Sequence, residues 1–303
     1  MPELPEVETI CRGLGNLIGR RIQKVFRSEK KLRIDSSLDL QGLKGATILQ
    51  LERRARYLLI HFSNKNSLIL HLGMSGKITI NPTPSSLAQS AEDLMSSNST
   101  AKLTRSSARL RRPRMMWCGK KHDHFALEFT DGSHLIFNDP RRFGFVDLVA
   151  TKNLKNHKML VQLGVEPLSN KFNFALLRKK LCDKKMNIKT AMMDNKIVVG
   201  VGNIYINESL FDSGISPLRT ASSLKENEIK KLVSSIKKIL KKAIKLGGSS
   251  ISDYVTASGN LGNFQNTFRV YGRASENCLH CNTVIEKIVQ NGRSSFYCST
   301  CQR

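Results

Sequence analysis

Two Cys-x2-Cys pairs close the sequence, Cys278 with Cys281 and Cys298 with Cys301, and sixteen residues separate them. Four thiolates at this spacing suit a tetrahedral Zn²⁺ ion. With sulfur at every position no site stays open for water, so such an ion is structural. An iron–sulfur cluster is the alternative metal reading, and unligated thiols the bland one. Phe296 and Tyr297, beside the third ligand, suit a small β-hairpin finger. So short a segment has no core of its own, and the metal would supply its stability. The other three cysteines, Cys11, Cys118 and Cys182, are scattered. The odd total and the lack of a secretion signal argue against a disulfide framework.

The rest of the chain is large enough for one big or two modest domains: 303 residues, 40% of them hydrophobic. No apolar run reaches membrane-spanning length, so a soluble intracellular protein without membrane contact is expected. The net charge of +25 favours a polyanionic partner, nucleic acid first. Charge alone argues for binding and not for specificity.

Val7, Ile10, Cys11, Leu14 and Ile18 fall at helical spacing near the start. Residues 20–82 read as strands. The runs 57–62 and 67–72 are separated by a polar turn at Ser63–Asn66. Phe125, Leu127 and Phe129 alternate with His124, Ala126 and Glu128, which predicts a half-buried strand, and Asp131-Gly132 turns it into a hairpin. Many short antiparallel strands predict a β-sandwich or barrel. Residues 83–120 interrupt the pattern, first Ser-, Thr- and Asn-rich and then basic; disorder is expected there. The second half is helical, with helices predicted over 171–182, 187–194, 203–213 and 223–247. The last begins with a capping box at Ser223 and Glu226 and carries an outward lysine face.

The chemistry is expected at the N-terminus, Met1-Pro2-Glu3-Leu4-Pro5-Glu6. Once Met1 is removed, Pro2 presents a secondary amine whose reference pKa of about 7.7–8.0 leaves a nucleophilic fraction near neutrality. Amines attack sugar carbons and form Schiff bases. Glu3 and Glu6 stand beside it as proton carriers. By themselves these residues read as a Pro/Glu start to a helix, the acids favouring its dipole.

Residues Pro2 to Thr9 resemble the start of the formamidopyrimidine-DNA glycosylases (the Fpg, or MutM, family). Four further stretches match in the family's order: His71–Gly76, Asp139–Gly144, Val199–Tyr205 and the four-cysteine end. Together they span nearly the whole chain. The resemblance implies an α+β protein. Residues 1–148 would form an N-terminal β-sandwich with an N-terminal helix and an insertion at 83–120. A linker follows at 149–167, then a helical helix–two-turn–helix domain at 168–268 and a zinc-finger β-hairpin at 269–303.

It further implies a bifunctional DNA glycosylase and AP lyase of base excision repair. Such an enzyme excises 8-oxoguanine and formamidopyrimidines through a Schiff base at Pro2, followed by β,δ-elimination. Glu3 and Glu6 would serve that site. Arg293 would contact lesion phosphates and assist the last elimination. His122, Lys184 (or Lys185) and Asn203 would hold phosphates, Arg141 the base left opposite, and Met74 and Phe143 would fill the vacated stack. Residues 249–270 would form a mobile cover, with Asn263 where an aromatic is expected. Arg56 stands where the family carries a lysine assigned as proton donor. Arginine keeps the phosphate contact, but its pKa of at least about 12 makes it a poor acid. The implied partner is damaged duplex DNA, the cofactor one Zn²⁺, the state a monomer, and the location cytoplasmic, at a bacterial nucleoid. The competing readings are an endonuclease VIII-like enzyme for oxidised pyrimidines and a non-catalytic damaged-DNA-binding protein.

Overall fold

The computed structural model describes residues 1–34, 36–81, 120–249 and 262–303. The expected insertion at 83–120, apart from its last residue, lies outside them, and so do Cys118 and residues 250–261 of the expected cover.

Helix α1 (Leu4–Gly13) opens the chain. Glu3 is its N-cap, and the Glu3 N–H donates to the Glu6 carboxylate at 2.8 Å. The helix is shorter than its apolar spacing suggested: it ends before Leu14, and Ile18, 51% exposed, lies beyond it.

Among the described residues eight strands follow: β1 (Ile22–Arg27), β2 (Ile48–Arg54), β3 (Tyr57–Phe62), β4 (Asn66–His71), β5 (Lys77–Asn81), β6 (Asp123–Phe129), β7 (His134–Asn138) and β8 (Phe145–Ala150). They make two antiparallel sheets, ordered β1-β6-β7-β5 and β2-β3-β4-β8. Alternate residues of both sheets, among them Leu58, Ile60, Leu68, Leu70, Phe125, Leu127 and Phe137, meet in one core with Val7 and Ile10 of α1. This is the expected sandwich. Strand β6 is not half-buried, however. Its other face is covered as well: Ala126 packs with Ile136 and Phe26, and His124 and Glu128 are buried. His124 is tied to the Ser28 hydroxyl at 2.9 Å and to the Asp139 carbonyl at 3.0 Å, which satisfies a polar ring inside the fold.

The second half contains α2 (Phe174–Leu181), α3 (Ile188–Met192), α4 (Asn203–Ser213) and α5 (Glu226–Lys245) around a separate apolar core. Helices α2 and α3 are shorter at both ends than predicted. The start of α5 also differs: Lys225 is the N-cap, and its N–H donates to Glu228 at 2.6 Å. Ser223 instead donates to the Thr220 carbonyl in the preceding turn. The Ser-x-x-Glu signal sits two residues early; Glu228, which closes the actual box, is also held by Arg219.

Residues 262–270, expected within a mobile cover, are packed. Phe264 is buried against Tyr205, with ring centroids 5.3 Å apart. The chain ends in the hairpin of β9 (Glu286–Gln290) and β10 (Arg293–Tyr297), whose small core of Val270, Ile285 and Phe296 rests on Phe211 of α4. No helix among the described residues is long and apolar enough to cross a membrane.

Candidate active site

The N-terminal hexapeptide is seated between the two halves. The Leu4 N–H donates to the Gly200 carbonyl at 3.2 Å, and α1 packs on α5. Glycines on the helical side permit this approach. A Cβ on Gly202 would lie 1.9 Å from the Glu3 carboxyl carbon, and one on Gly248 (φ +80°) 2.9 Å from Glu6 Oε1. Any larger residue at 202 would occupy the space of the acid itself.

Glu6 is 2% exposed, and its carboxylate is fully engaged. It accepts from the Tyr205 hydroxyl, from the Ser249 N–H at 2.8 Å and from the Ser249 hydroxyl at 3.1 Å. Burial pushes the Tyr205 phenol well above its ordinary pKa, and the neighbouring Glu6 and Glu3 push the same way, so this hydroxyl is a donor at any ordinary pH. Glu6 therefore braces the N-terminus, holding the Glu3 N–H with one oxygen and the helical half with the other.

Glu3 is in a different condition. It is also buried, but its one contact of note is the Ile204 N–H at 3.4 Å, at the N-terminal turn of α4. Burial raises its pKa from 4.5 to about 7, offset in part by Arg56 and reinforced by Glu6. A carboxyl divided between its two protonation states near neutrality is suited to giving up a proton. The Met1 amine, the N-terminus in this structure, is pushed below its ordinary value, chiefly by burial.

A cavity of about 420 Å³ brings Met1, Glu3, Arg56, Asn203, Tyr271 and Arg293 together. Four of the sequence-derived residues thus share one wall. Pro2 is buried and does not line the cavity. Arg56 reaches toward the Met1 sulfur, 3.8 Å away. Asn203 is not the N-cap of α4, which is Gly202; its amide instead donates to the Ser294 carbonyl at 3.1 Å.

A second group lies on the sandwich. Asp139 is fully buried and accepts from the Ser75 hydroxyl at 2.7 Å and the Gly144 N–H at 2.8 Å. Gly73 (φ +62°) backs directly onto Gly144. The two loops are thereby joined, and Met74 and Phe143 both project from them, each 45% exposed. Among apolar residues on an otherwise packed sandwich, that exposure fits a wedge and not a core. The Arg141 guanidinium stacks on the Phe143 ring at 5.1 Å. His122 joins the same region through its carbonyl, which accepts from the Asp139 N–H at 3.0 Å. Lys184 and Lys185 lie on the turn between α2 and α3, outside the cavity wall.

Comparison with known proteins agrees with this layout. Residues 1–146 match the formamidopyrimidine-DNA glycosylase N-terminal domain, 163–255 the H2TH domain of the same enzymes, and 275–303 the zinc finger found in FPG and IleRS. A curated formamidopyrimidine-DNA glycosylase of Dinoroseobacter shibae is 42% identical, with both chains fully covered. The chain belongs to the formamidopyrimidine-DNA glycosylase family. Among solved structures, a Lactococcus lactis Fpg variant in complex with Fapy-dG-containing DNA is similar at a TM-score of 0.81 and 33% identity over the full length of both chains. The L. lactis Fpg complex with abasic-site DNA gives 0.80 and 33% over 99% of each.

The Fpg-type finger fits its metal. The sulfurs of Cys278, Cys281, Cys298 and Cys301 all lie within 4.8 Å of one another. Tetrahedral Zn–S bonds of about 2.3 Å require separations of about 3.8 Å. The finger carries one structural zinc ion.

Several residues of the Fpg-type site had no signal in the sequence pattern. Lys189 is 1% exposed, and its ammonium donates to the Ser294 carbonyl at 2.8 Å and the Ser295 hydroxyl at 2.7 Å, fixing β10 beside Arg293. Burial and then Arg293 push its pKa down to about 8. Glu208 accepts the N–H groups of Arg269, Val270 and Tyr271 at 2.8–3.1 Å, anchoring the bend that brings Tyr271 to the cavity. A lysine or glutamate inside a helix reads as surface until its long-range partner is seen.

Proposed function

We propose that the chain is a bifunctional DNA glycosylase and AP lyase that excises 8-oxoguanine and formamidopyrimidines from duplex DNA in base excision repair. The observation that carries this reading is Glu3, a buried carboxyl poised near pH 7 beside the N-terminal amine in a cavity with two arginines. The relatives' names and the damaged DNA in the related structures supply the substrate class.

After removal of Met1, the neutral Pro2 nitrogen attacks C1′ of the everted nucleotide, the glycosidic bond breaks with its electron pair going to the base, and the departing base takes up the proton that the Pro2 nitrogen releases. Glu3 gives its proton to the sugar ring oxygen, the C1′–O4′ bond opens, and an iminium joins Pro2 to C1′. Loss of a C2′ proton expels the 3′ phosphate, and a second elimination expels the 5′ phosphate. Arg56 and Arg293 neutralise the departing phosphates. Arg56 acts as a fixed cation and not as a proton donor, because a guanidinium does not give up its proton in ordinary acid–base chemistry. Glu6, engaged by Tyr205 and Ser249, orients the terminus. Eversion costs a few kcal/mol of stacking, part of which Met74 and Phe143 recover by wedging into the gap while Arg141 takes the unpaired base. His122, Lys184 and Asn203 serve as phosphate contacts. The protein acts as a monomer at the nucleoid of a bacterial cytoplasm.

The test is borohydride trapping on duplex DNA with 8-oxoguanine opposite cytosine. A covalent adduct mapped to Pro2 is expected. Tight binding without an adduct would select a non-catalytic damage binder. An adduct with oxidised pyrimidines alone would select the endonuclease VIII-like reading.

A further inference from the structure

We propose that Glu166 is a positioning residue for Arg56: a clamp, reaching from the helical half, that sets where the cavity's N-terminal-domain arginine stands. The proposal rests on the phosphate-binding role given to Arg56 above. Glu166 grips three consecutive residues, the last two of β2 and the first of the turn to β3. Its Oε2 accepts from Arg53 Nη1 at 2.7 Å, and its Oε1 from Arg54 Nη1 and the Ala55 N–H, both at 2.7 Å. Ala55, immediately before Arg56, is held at φ +54°, a left-handed conformation that a residue with a Cβ rarely adopts unaided. Arg54 completes the seam by donating to the carbonyls of Leu163 and Gly164 at 2.9 and 2.6 Å. Arg53, 9% exposed, also donates to Glu8 of α1 at 2.8 Å.

The anchor of this clamp is firm. The Gly164 N–H donates to the Asn195 carbonyl at 2.7 Å, and the Val199 N–H to the Val165 carbonyl at 3.0 Å. A Cβ on Gly164 would come within 2.7 Å of the Lys196 carbonyl oxygen, so the segment is pressed against residues 195–198. Asn195 itself lines the cavity. One carboxylate therefore refers the turn carrying Arg56 to the frame of the helical half, where Asn203 stands. Without it Arg53 and Arg54 lose their shared acceptor, and Ala55 keeps only the bond from Arg53 to its carbonyl, at 3.1 Å.

The experiment is a double-mutant cycle on the full zinc-loaded chain. Affinity for a duplex carrying a tetrahydrofuran abasic analogue is measured by fluorescence anisotropy over a range of salt. Arg56→Met should weaken binding about tenfold, the worth of one charge-assisted hydrogen bond to phosphate. Glu166→Gln should weaken it about three- to tenfold and lower the salt slope by about 0.9, one phosphate contact. In the Arg56→Met background Glu166→Gln should change binding less than twofold. A purely structural role would leave the salt slope unchanged and the two effects additive, and either result overturns the proposal. Should Glu166→Gln not unfold cooperatively, Glu166→Asp, which keeps the charge but is too short for all three donors, is read in the same cycle. The cycle needs no catalysis. An untrappable wild type with an intact cycle would refute the glycosylase reading alone, and a trappable wild type with additive variants would refute the clamp alone.

Discussion

Replacing Glu3 by glutamine should stabilise the protein, and by an amount that depends on pH. In the unfolded chain Glu3 ionises near 4.5, and in the fold near 7, because burial disfavours its charge. Between those values the folded state binds the extra proton. Stability therefore falls as pH rises through this window, and the deficit is complete above pH 7. The rise corresponds to about 3 kcal/mol at pH 8 and to less than about 1 kcal/mol at pH 5. Glutamine has the same shape, keeps an acceptor for the Ile204 N–H and fits under Gly202, so Glu3→Gln removes the cost of the charge while adding little. At about 2 °C per kcal/mol for a chain of this size, Tm should rise by about 6 °C at pH 8 and by less than about 2 °C at pH 5. Differential scanning fluorimetry of both proteins across this range measures it. The same variant should lose base release by a factor of about 10² or more, since a proton donor is gone. An equal Tm change at both pH values, or a loss of stability at pH 8, would refute the claim that Glu3 is held in a charge-averse site.

The pH profile of base release should follow the same group: kcat/KM declines above about pH 7 as Glu3 ionises, and a flat profile to pH 9 would remove Glu3 from the proton-donor role. Phe143→Ala should leave Tm within about 1 °C because the ring is 45% exposed, yet slow single-turnover excision about tenfold by loss of the wedge; a large Tm loss with normal excision would make the ring structural. Cys298→Ser, or zinc removal by a chelator, should abolish hydrogen-exchange protection across residues 276–302 and reduce trapping, because the metal supplies the finger's stability and the finger presents Arg293. Protection unchanged after verified metal loss would contradict this.

The sequence alone determined those parts whose physics is local. Tyr57–Phe62 reads as a strand from its own residues, and the cysteine spacing specifies a tetrahedral ligand set before any fold is known. The N-terminal Pro2 and Glu3 gain a chemical reading only with the four further stretches that match the family; alone they read as a Pro/Glu start to a helix. Local patterns misled where a distant partner intervened, as at Ser223, whose capping role passed to Lys225 and Glu228, and at β6, whose second face the rest of the sandwich covers. What only the tertiary structure decided is which charge does what. Glu3 and Glu6 are the same residue type three positions apart. Glu6 meets Tyr205 and Ser249, 199 and 243 residues away, and is braced. Glu3 meets Gly202, a single long hydrogen bond and Arg56, and its proton is left mobile. Burial and the supply of donors set a carboxyl's chemistry, and both come from chain segments that no sequence window around it contains.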